Sequence, residues 1–149
     1  MRIYLAARYS RIEEMNKYAT ELRSVGYTVD TRWLLGNHQL YHNPQSIDNP
    51  KNTEVPEHGR LFAQDDCDDL IKSDIVICFS EVPNTVLGTG GRHVELGLTL
   101  MFNYWMDSIG AKRKNILLVG PRENVFYCLP DIIQFTTWED CMKYLVHTP

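Results

Sequence analysis

Residues 2–33 read RIYLAARYSRIEEMNKYATELRSVGYTVDTRW, and the change of pattern along them decides the fold. Residues 2–7 (RIYLAA) are a short apolar run of the kind that makes a buried strand. From Ser10 onward Ile12, Met15, Ala19, Leu22 and Val25 return at helical spacing, which predicts an amphipathic helix over residues 10–25. Ser10 with Glu13 spells a capping box, and Gly26 stands where a left-handed residue ends a helix. Residues 27–33 (YTVDTRW) alternate and are rich in β-formers, so they predict a second strand. Strand, helix, strand is a crossover, and crossovers join parallel strands.

The alternation continues to the end. Residues 59–72 predict a helix with Leu61, Phe62, Leu70 and Ile71 inward, and residues 74–79 (DIVICF) a strand covered on both faces. Residues 91–105 predict a third helix that is apolar nearly all round, through Val94, Leu96, Leu98, Leu100, Met101, Phe102 and Trp105. One side of such a helix covers the sheet. The other calls for more protein, and a second subunit is the economical candidate. Residues 115–119 (NILLV) and 132–135 predict two further strands, and Thr136 with Glu139 caps a last helix reaching about residue 146. The expected fold is α/β: a single domain over 1–149 with a doubly wound, five-stranded parallel sheet in flavodoxin-like (Rossmann-like) order and helices on both faces.

Ligands of such sheets gather at the C-terminal ends of the strands. Those ends carry residues 8–11, 80–91, 120–127 and the polar stretch 34–57 with Pro44, Pro50 and Pro56. A non-periodic stretch of that length is either a lid or a surface excursion. Several function classes fall away. Net charge is −4 with scattered basic residues, which argues against a nucleic-acid polymer as partner. No apolar run approaches the roughly 20 residues that span a membrane. Cys67, Cys78, Cys128 and Cys141 show no CxxC spacing and no signal peptide precedes them, so they read as reduced, cytoplasmic and mostly core. His38, His42 and His58 share one region but make an incomplete zinc set; no metal and no cofactor is expected. Neither a P-loop nor a strand-linked GxGxxG is present, which sets aside triphosphate hydrolysis and dinucleotide binding.

Three groups of residues carry candidate chemistry. Residues 88–97 (GTGGRHVELG) run from a glycine turn into the third helix. The glycines permit positive φ and close ligand approach, and the helix start offers free N–H groups and a positive dipole end. Glu95, placed in that first turn, is expected to stay ionised; the plainer reading makes Gly90 and Gly91 an ordinary loop and Glu95 a charge balancing the dipole. Asp66 lies four residues from both Phe62 and Leu70, on the apolar face, where burial raises a carboxyl pKa and suits it to donate a proton. Asp65, Asp68 and Asp69 read as a solvated or flanking face. Arg8, Tyr9, Ser10 and Arg11 follow the first strand and offer guanidinium groups, a hydroxyl and helix amides to an anion, or else are surface charges around a capping serine.

Ile3-Tyr4 on strand one, Asp66 followed by Leu70 and Ser73-Asp74, and Val94-Glu95-Leu96-Gly97 together resemble the nucleoside 2-deoxyribosyltransferase superfamily. The resemblance implies cleavage of an N-glycosidic bond, with Glu95 attacking the anomeric carbon, Tyr4 orienting Glu95, and Asp66 handling the leaving base. Six positions before Glu95 stands Thr89, which fits the 2′-deoxynucleoside 5′-monophosphate N-glycosidase branch better than the transferases that carry aspartate there. With Arg8, Ser10, Arg11, Gly90 and Gly91 it implies a nucleoside monophosphate substrate and hydrolysis. The chain departs from that branch at Ala6-Ala7-Arg8-Tyr9-Ser10, where the branch has a glycine-containing loop. The superfamily also implies a homodimer or larger assembly in which a polar residue after strand four, here Asn124, completes a neighbour's site. Arg32, Trp33 and the histidines of 34–57 are candidates for contact with the base, Trp33 equally for the core. Deoxyribosyl transfer between bases, a non-catalytic nucleotide-binding module and a flavodoxin-like cofactor domain are the competing readings.

Overall fold

In the computed structural model, which describes residues 1–36, 38, 57–82 and 90–147, five strands form one sheet. They are β1 (Arg2–Ala6), β2 (Thr28–Val29), β3 (Ile75–Phe79), β4 (Asn115–Val119) and β5 (Ile132–Phe135). Their order is β2-β1-β3-β4-β5 and every pairing is parallel, which is the flavodoxin-like order expected. Among the described residues three helices connect strands, α1 (Ile12–Ser24), α2 (Glu57–Lys72) and α3 (Gly91–Ser108), and a fourth, α4 (Trp138–His147), follows β5.

The apolar runs of β1, β3 and β4 are buried on both faces, as inner strands of a parallel sheet must be. On one face Phe79 stacks on Tyr18 of α1, with ring centroids 5.5 Å apart, and Tyr18 stacks on Trp138 of α4 at 4.2 Å. The other face receives α2 and α3, which pack on each other and on β1. Gly26, with φ +97°, ends α1 in the left-handed conformation anticipated for it. Gly120 leaves β4 at φ +115°, and a Cβ there would stand 2.6 Å from Ser80 Oγ, so this close approach of two loops excludes any larger residue.

Several local expectations are corrected. The second strand stops at Val29 instead of running to residue 33, because Thr31 and Trp33 turn in to serve the neighbouring strand. Leu5 N–H donates to Thr31 Oγ1 at 3.2 Å, and Trp33 Nε1 donates to the Leu5 carbonyl at 2.8 Å. Two side chains thus replace the ladder bonds that a longer β2 would have made, and Trp33 belongs to the core. Residues Arg32–Leu35 form a 3-10 turn. The capping box of Ser10 and Glu13 does not form; a 3-10 turn, Tyr9–Arg11, leads into α1, with Ser10 exposed and no side-chain cap. The last helix is capped one residue later than expected, by Thr137, whose Oγ1 accepts from Asp140 N–H at 3.2 Å. Val25, Leu61 and Ile71 face outward, whereas Asp69 is buried. Cys78 and Cys141 are core, but Cys67 and Cys128 are exposed. All but His38 of residues 37–56, with His42, the three prolines and the lid they were expected to form, lie outside the described residues.

Thr31 gives the fold a direct test. Replacing it by valine keeps the shape but strands the buried Leu5 N–H, so Thr31→Val should lower unfolding stability by about 1–3 kcal/mol in urea titration, with the m-value unchanged.

Candidate active site

Three side chains from three elements meet on the α2/α3 face of the sheet. Tyr4 lies on β1 beside Val76 of β3, fully buried, and its hydroxyl donates to Glu95 Oε1 at 2.7 Å. Burial, then the charges of Glu95 and Asp66, push the Tyr4 phenol well above its usual range, so it stays a proton-bearing donor. Glu95 is the fifth residue of α3, just past the first turn in which the sequence reading placed it. Its second oxygen, Oε2, is buried with no hydrogen-bond partner among the described residues, and the same holds for Asp66 Oδ1 of α2.

These two oxygens set the electrostatics. Burial pushes Glu95 up to about 8; the Tyr4 hydrogen bond and Arg92 pull it down and the Asp66 charge adds to the rise. This overturns the expectation of a glutamate held ionised by the helix dipole: desolvation at the fifth position outweighs a dipole that fades within the first turn. Asp66 is raised to about 6, by burial first and by the Asp69 charge second, with Tyr4 acting against both. The upward direction expected for Asp66 holds. Glu95 shares that direction, with burial the first cause in both.

Beside this trio, the loops at the strand ends hold a charge network. Arg11 grips Glu14 through two bonds of 2.6 and 2.8 Å, stands 3.4 Å from Glu81, and lies over the Phe79 ring. Arg92, buried on α3, pairs with Glu123, which also accepts the Glu81 N–H at 3.2 Å. His93 Nδ1 stands 3.1 Å from the Tyr127 hydroxyl, and burial followed by the Arg92 charge lowers its pKa.

Of the residues singled out from sequence, Tyr4, Asp66 and Glu95 come together. Gly90 caps α3 in the left-handed conformation at φ +80°, and Gly91 is its exposed first residue. Arg8 is half-buried ahead of the turn carrying Ser10, but Arg11 is already engaged by carboxylates. Thr89 lies outside the described residues. Asn124 is turned to its own chain: its Oδ1 accepts from Phe126 N–H at 3.0 Å, and its Nδ2 is 3.4 Å from His93 Nδ1. Arg32 is committed to α2. Arg92, Glu81 and Glu123 were missed. Their only signal was position, next to the Glu95 motif and just past the ends of β3 and β4. Among the described residues no group of three His, Cys, Asp or Glu side chains is placed to hold a metal ion.

Comparison with known proteins supplies the fold and little more. No protein-family model matches the chain, and no curated protein matches it in sequence. Among solved structures it is similar to a CMP N-glycosidase from Clostridium botulinum, with 17% identity and a TM-score of 0.54 over 97% of this chain and 98% of that one. It is also similar to a 2-deoxyribosyltransferase from the psychrotolerant bacterium Bacillus psychrosaccharolyticus, with 20% identity and a TM-score of 0.57 over 97% of this chain and 92% of that one. At such identities the likeness is one of fold.

The buried pair carries a stability consequence. Because the folded protein holds the Glu95 proton more tightly than the ordinary value of 4.5, the stability tied to it is complete below pH 4.5 and lost as pH rises through about 8. Glu95→Gln keeps the shape without the charge, so its Tm should exceed that of the wild type by roughly 10 °C at pH 8.5 and match it at pH 4, measured by calorimetry.

Proposed function

We propose that this protein is an enzyme that cleaves the N-glycosidic bond of a nucleoside or deoxynucleoside 5′-monophosphate through a covalent glycosyl-Glu95 intermediate. The observation that carries the reading is the Glu95 carboxyl itself: one oxygen is fixed by Tyr4 at 2.7 Å and the other is buried with no hydrogen-bond partner among the described residues, which leaves it open to a substrate carbon. The order of motifs resembling the nucleoside 2-deoxyribosyltransferase superfamily supports it, as do the fold likenesses to a CMP N-glycosidase and a 2-deoxyribosyltransferase.

In this mechanism Glu95 Oε2 attacks C1′ as the carbon–nitrogen bond breaks, and Asp66 gives its proton to the departing base. Water then attacks C1′, returns a proton to Asp66 and frees Glu95. Tyr4 holds Glu95 in line and stabilises its negative charge as the sugar leaves. For the phosphate, Arg8, Ser10, Thr89 and the amides at Gly90 and Gly91 are the candidate ligands. Arg11, balanced by Glu14 and Glu81, contributes little net charge. Deoxyribosyl transfer is the alternative, in which an acceptor base replaces water.

A homodimer belongs to the same proposal. Val94, Leu98, Met101, Tyr104 and Trp105 form an exposed stripe along α3, the outer side of the helix that the sequence left without a cover. Such a dimer would bring a second copy's loops near the site, Asn124 among them. Sedimentation should give a dimer for the wild type and a monomer for Leu98→Asp/Met101→Asp.

The test of activity is chromatographic detection of free base from ribo- and deoxyribonucleosides and their 5′-monophosphates, with and without an acceptor base. Release from monophosphates should be abolished in Glu95→Ala and reduced about 10–100-fold in kcat in Tyr4→Phe. New nucleosides formed only with an acceptor would assign the transferase instead, and binding without turnover the non-catalytic module. Because one carboxyl must be ionised and the other protonated, kcat/KM should be bell-shaped in pH with its maximum between about 6 and about 8.

A further inference from the structure

Three consecutive side chains after β2 reach in two directions. Thr31 and Trp33 close on Leu5, the residue next to Tyr4. Arg32 turns the other way, onto α2. Its backbone N–H donates to Asp69 Oδ2 at 2.8 Å and its Nε to Asp69 Oδ1 at 2.9 Å. Its Nη2 donates to the Asp65 carbonyl at 2.8 Å, and its Nη1 pairs with the Asp65 carboxylate. Asp65 and Asp69 lie one helical turn apart with Asp66 between them, so a single guanidinium grips the turn of α2 that carries Asp66. A planar fork fixes orientation as well as distance, which an ammonium on a flexible stem does not. Residues 31–33 thereby tie the surroundings of Tyr4 to those of Asp66.

We propose that Arg32 is a positioning residue for Asp66: through Asp65 and Asp69 it sets where the Asp66 carboxyl stands against Tyr4 and Glu95. The inference rests on the reading of Asp66 as the proton donor. Asp66 faces Tyr4 from β1, Glu95 from α3, Asp65 and Asp69 from its own helix and Arg32 from the turn, with His38 3.8 Å from Asp65. Of these, Arg32 favours the ionised form of Asp66, and Asp65 and Asp69 oppose it. Removing Arg32 therefore raises the Asp66 titration midpoint, while neutralising Asp65 lowers it. Both changes loosen the grip. Positioning predicts that catalysis falls in both, although the charge effects have opposite sign.

The experiment is a carboxyl carbon-13 NMR titration of the full chain, with the Asp66 resonance identified by its loss in Asp66→Asn, alongside base-release kinetics. Arg32→Gln should raise the Asp66 midpoint by about half a pH unit or more and Asp65→Asn should lower it. Each should lose about tenfold or more in kcat at its own pH optimum with KM within about twofold. Arg32→Lys should keep the midpoint near that of the wild type and still lose kcat. Full kcat at each variant's own optimum, or full rescue by lysine, would overturn the proposal by leaving charge alone as the cause. So would altered thermal stability and KM with an unmoved midpoint. If Arg32→Gln does not fold, Arg32→Lys and Asp65→Asn decide the matter. If the wild type releases no base at all, the glycosidase reading fails separately; the titration still decides whether Arg32 governs Asp66, and unmoved midpoints would refute it.

Discussion

A hydrogen bond between residues 91 positions apart, from Tyr4 to Glu95, is the interaction to which the architecture is subordinate. Tyr4 has no freedom: β1 is flanked by β2 and β3, and the ring is enclosed by two helices. Glu95 must therefore come to it. The strand order places β3 beside β1, with Tyr4 level with Val76, so the chain leaving β3 is delivered over Tyr4 when it turns back as α3. Gly90 at positive φ makes that turn into the helix without strain. Had β3 and β4 exchanged places, α3 would start a strand farther away and the bond would be lost.

Setting two carboxyls against a sheet costs stability, since each has an oxygen that no described neighbour satisfies. What offsets the cost lies elsewhere in the molecule. The opposite face carries the dense aromatic stack of Phe79, Tyr18 and Trp138, and apart from Tyr4 the buried residues of β1, β3 and β4 are apolar. Polar groups near the site are paired in chains instead of singly: Arg11 to Glu14 and Glu81, Arg92 to Glu123, Arg32 to Asp65 and Asp69. The two carboxyl oxygens without a described partner, Glu95 Oε2 and Asp66 Oδ1, thus lie together beside Tyr4.

Period and punctuation made the fold legible. The apolar runs of β1, β3 and β4 and the helical spacing of Met15, Ala19 and Leu22 are local signals, and local signals survive into the folded state when nothing opposes them. They fail where a distant group intervenes. Residues 31–33 look like a strand because Thr and Trp are β-formers, but their side chains are drawn to Leu5 and the backbone gives way. Asp69 looks like surface because the guanidinium that neutralises it comes from Arg32, on another element. The chemistry followed the same division. Residue types and their order brought out Tyr4, Asp66 and Glu95, whereas Arg92, Glu81 and Glu123 acquire meaning only when α3 and the loops after β3 and β4 are folded together.

The upward shift of both carboxyls is consistent with the proposed reaction, and the reason is electrostatic. Burial raises both carboxyls and so favours their protonated forms. In the reaction proposed above, positive charge grows on the sugar carbon facing Glu95 as the base departs. A cation at that distance favours the ionised glutamate and repels the proton, and the receding base, gaining electrons, attracts it on the Asp66 side. Tyr4, bonded to Glu95, supports the ionised form throughout. The arrangement that is unfavourable at rest is therefore the one that the transition state stabilises, which is how binding differs between ground state and transition state in a catalyst. A Glu95 already ionised and fully hydrogen-bonded at rest would have less to gain from the developing charge.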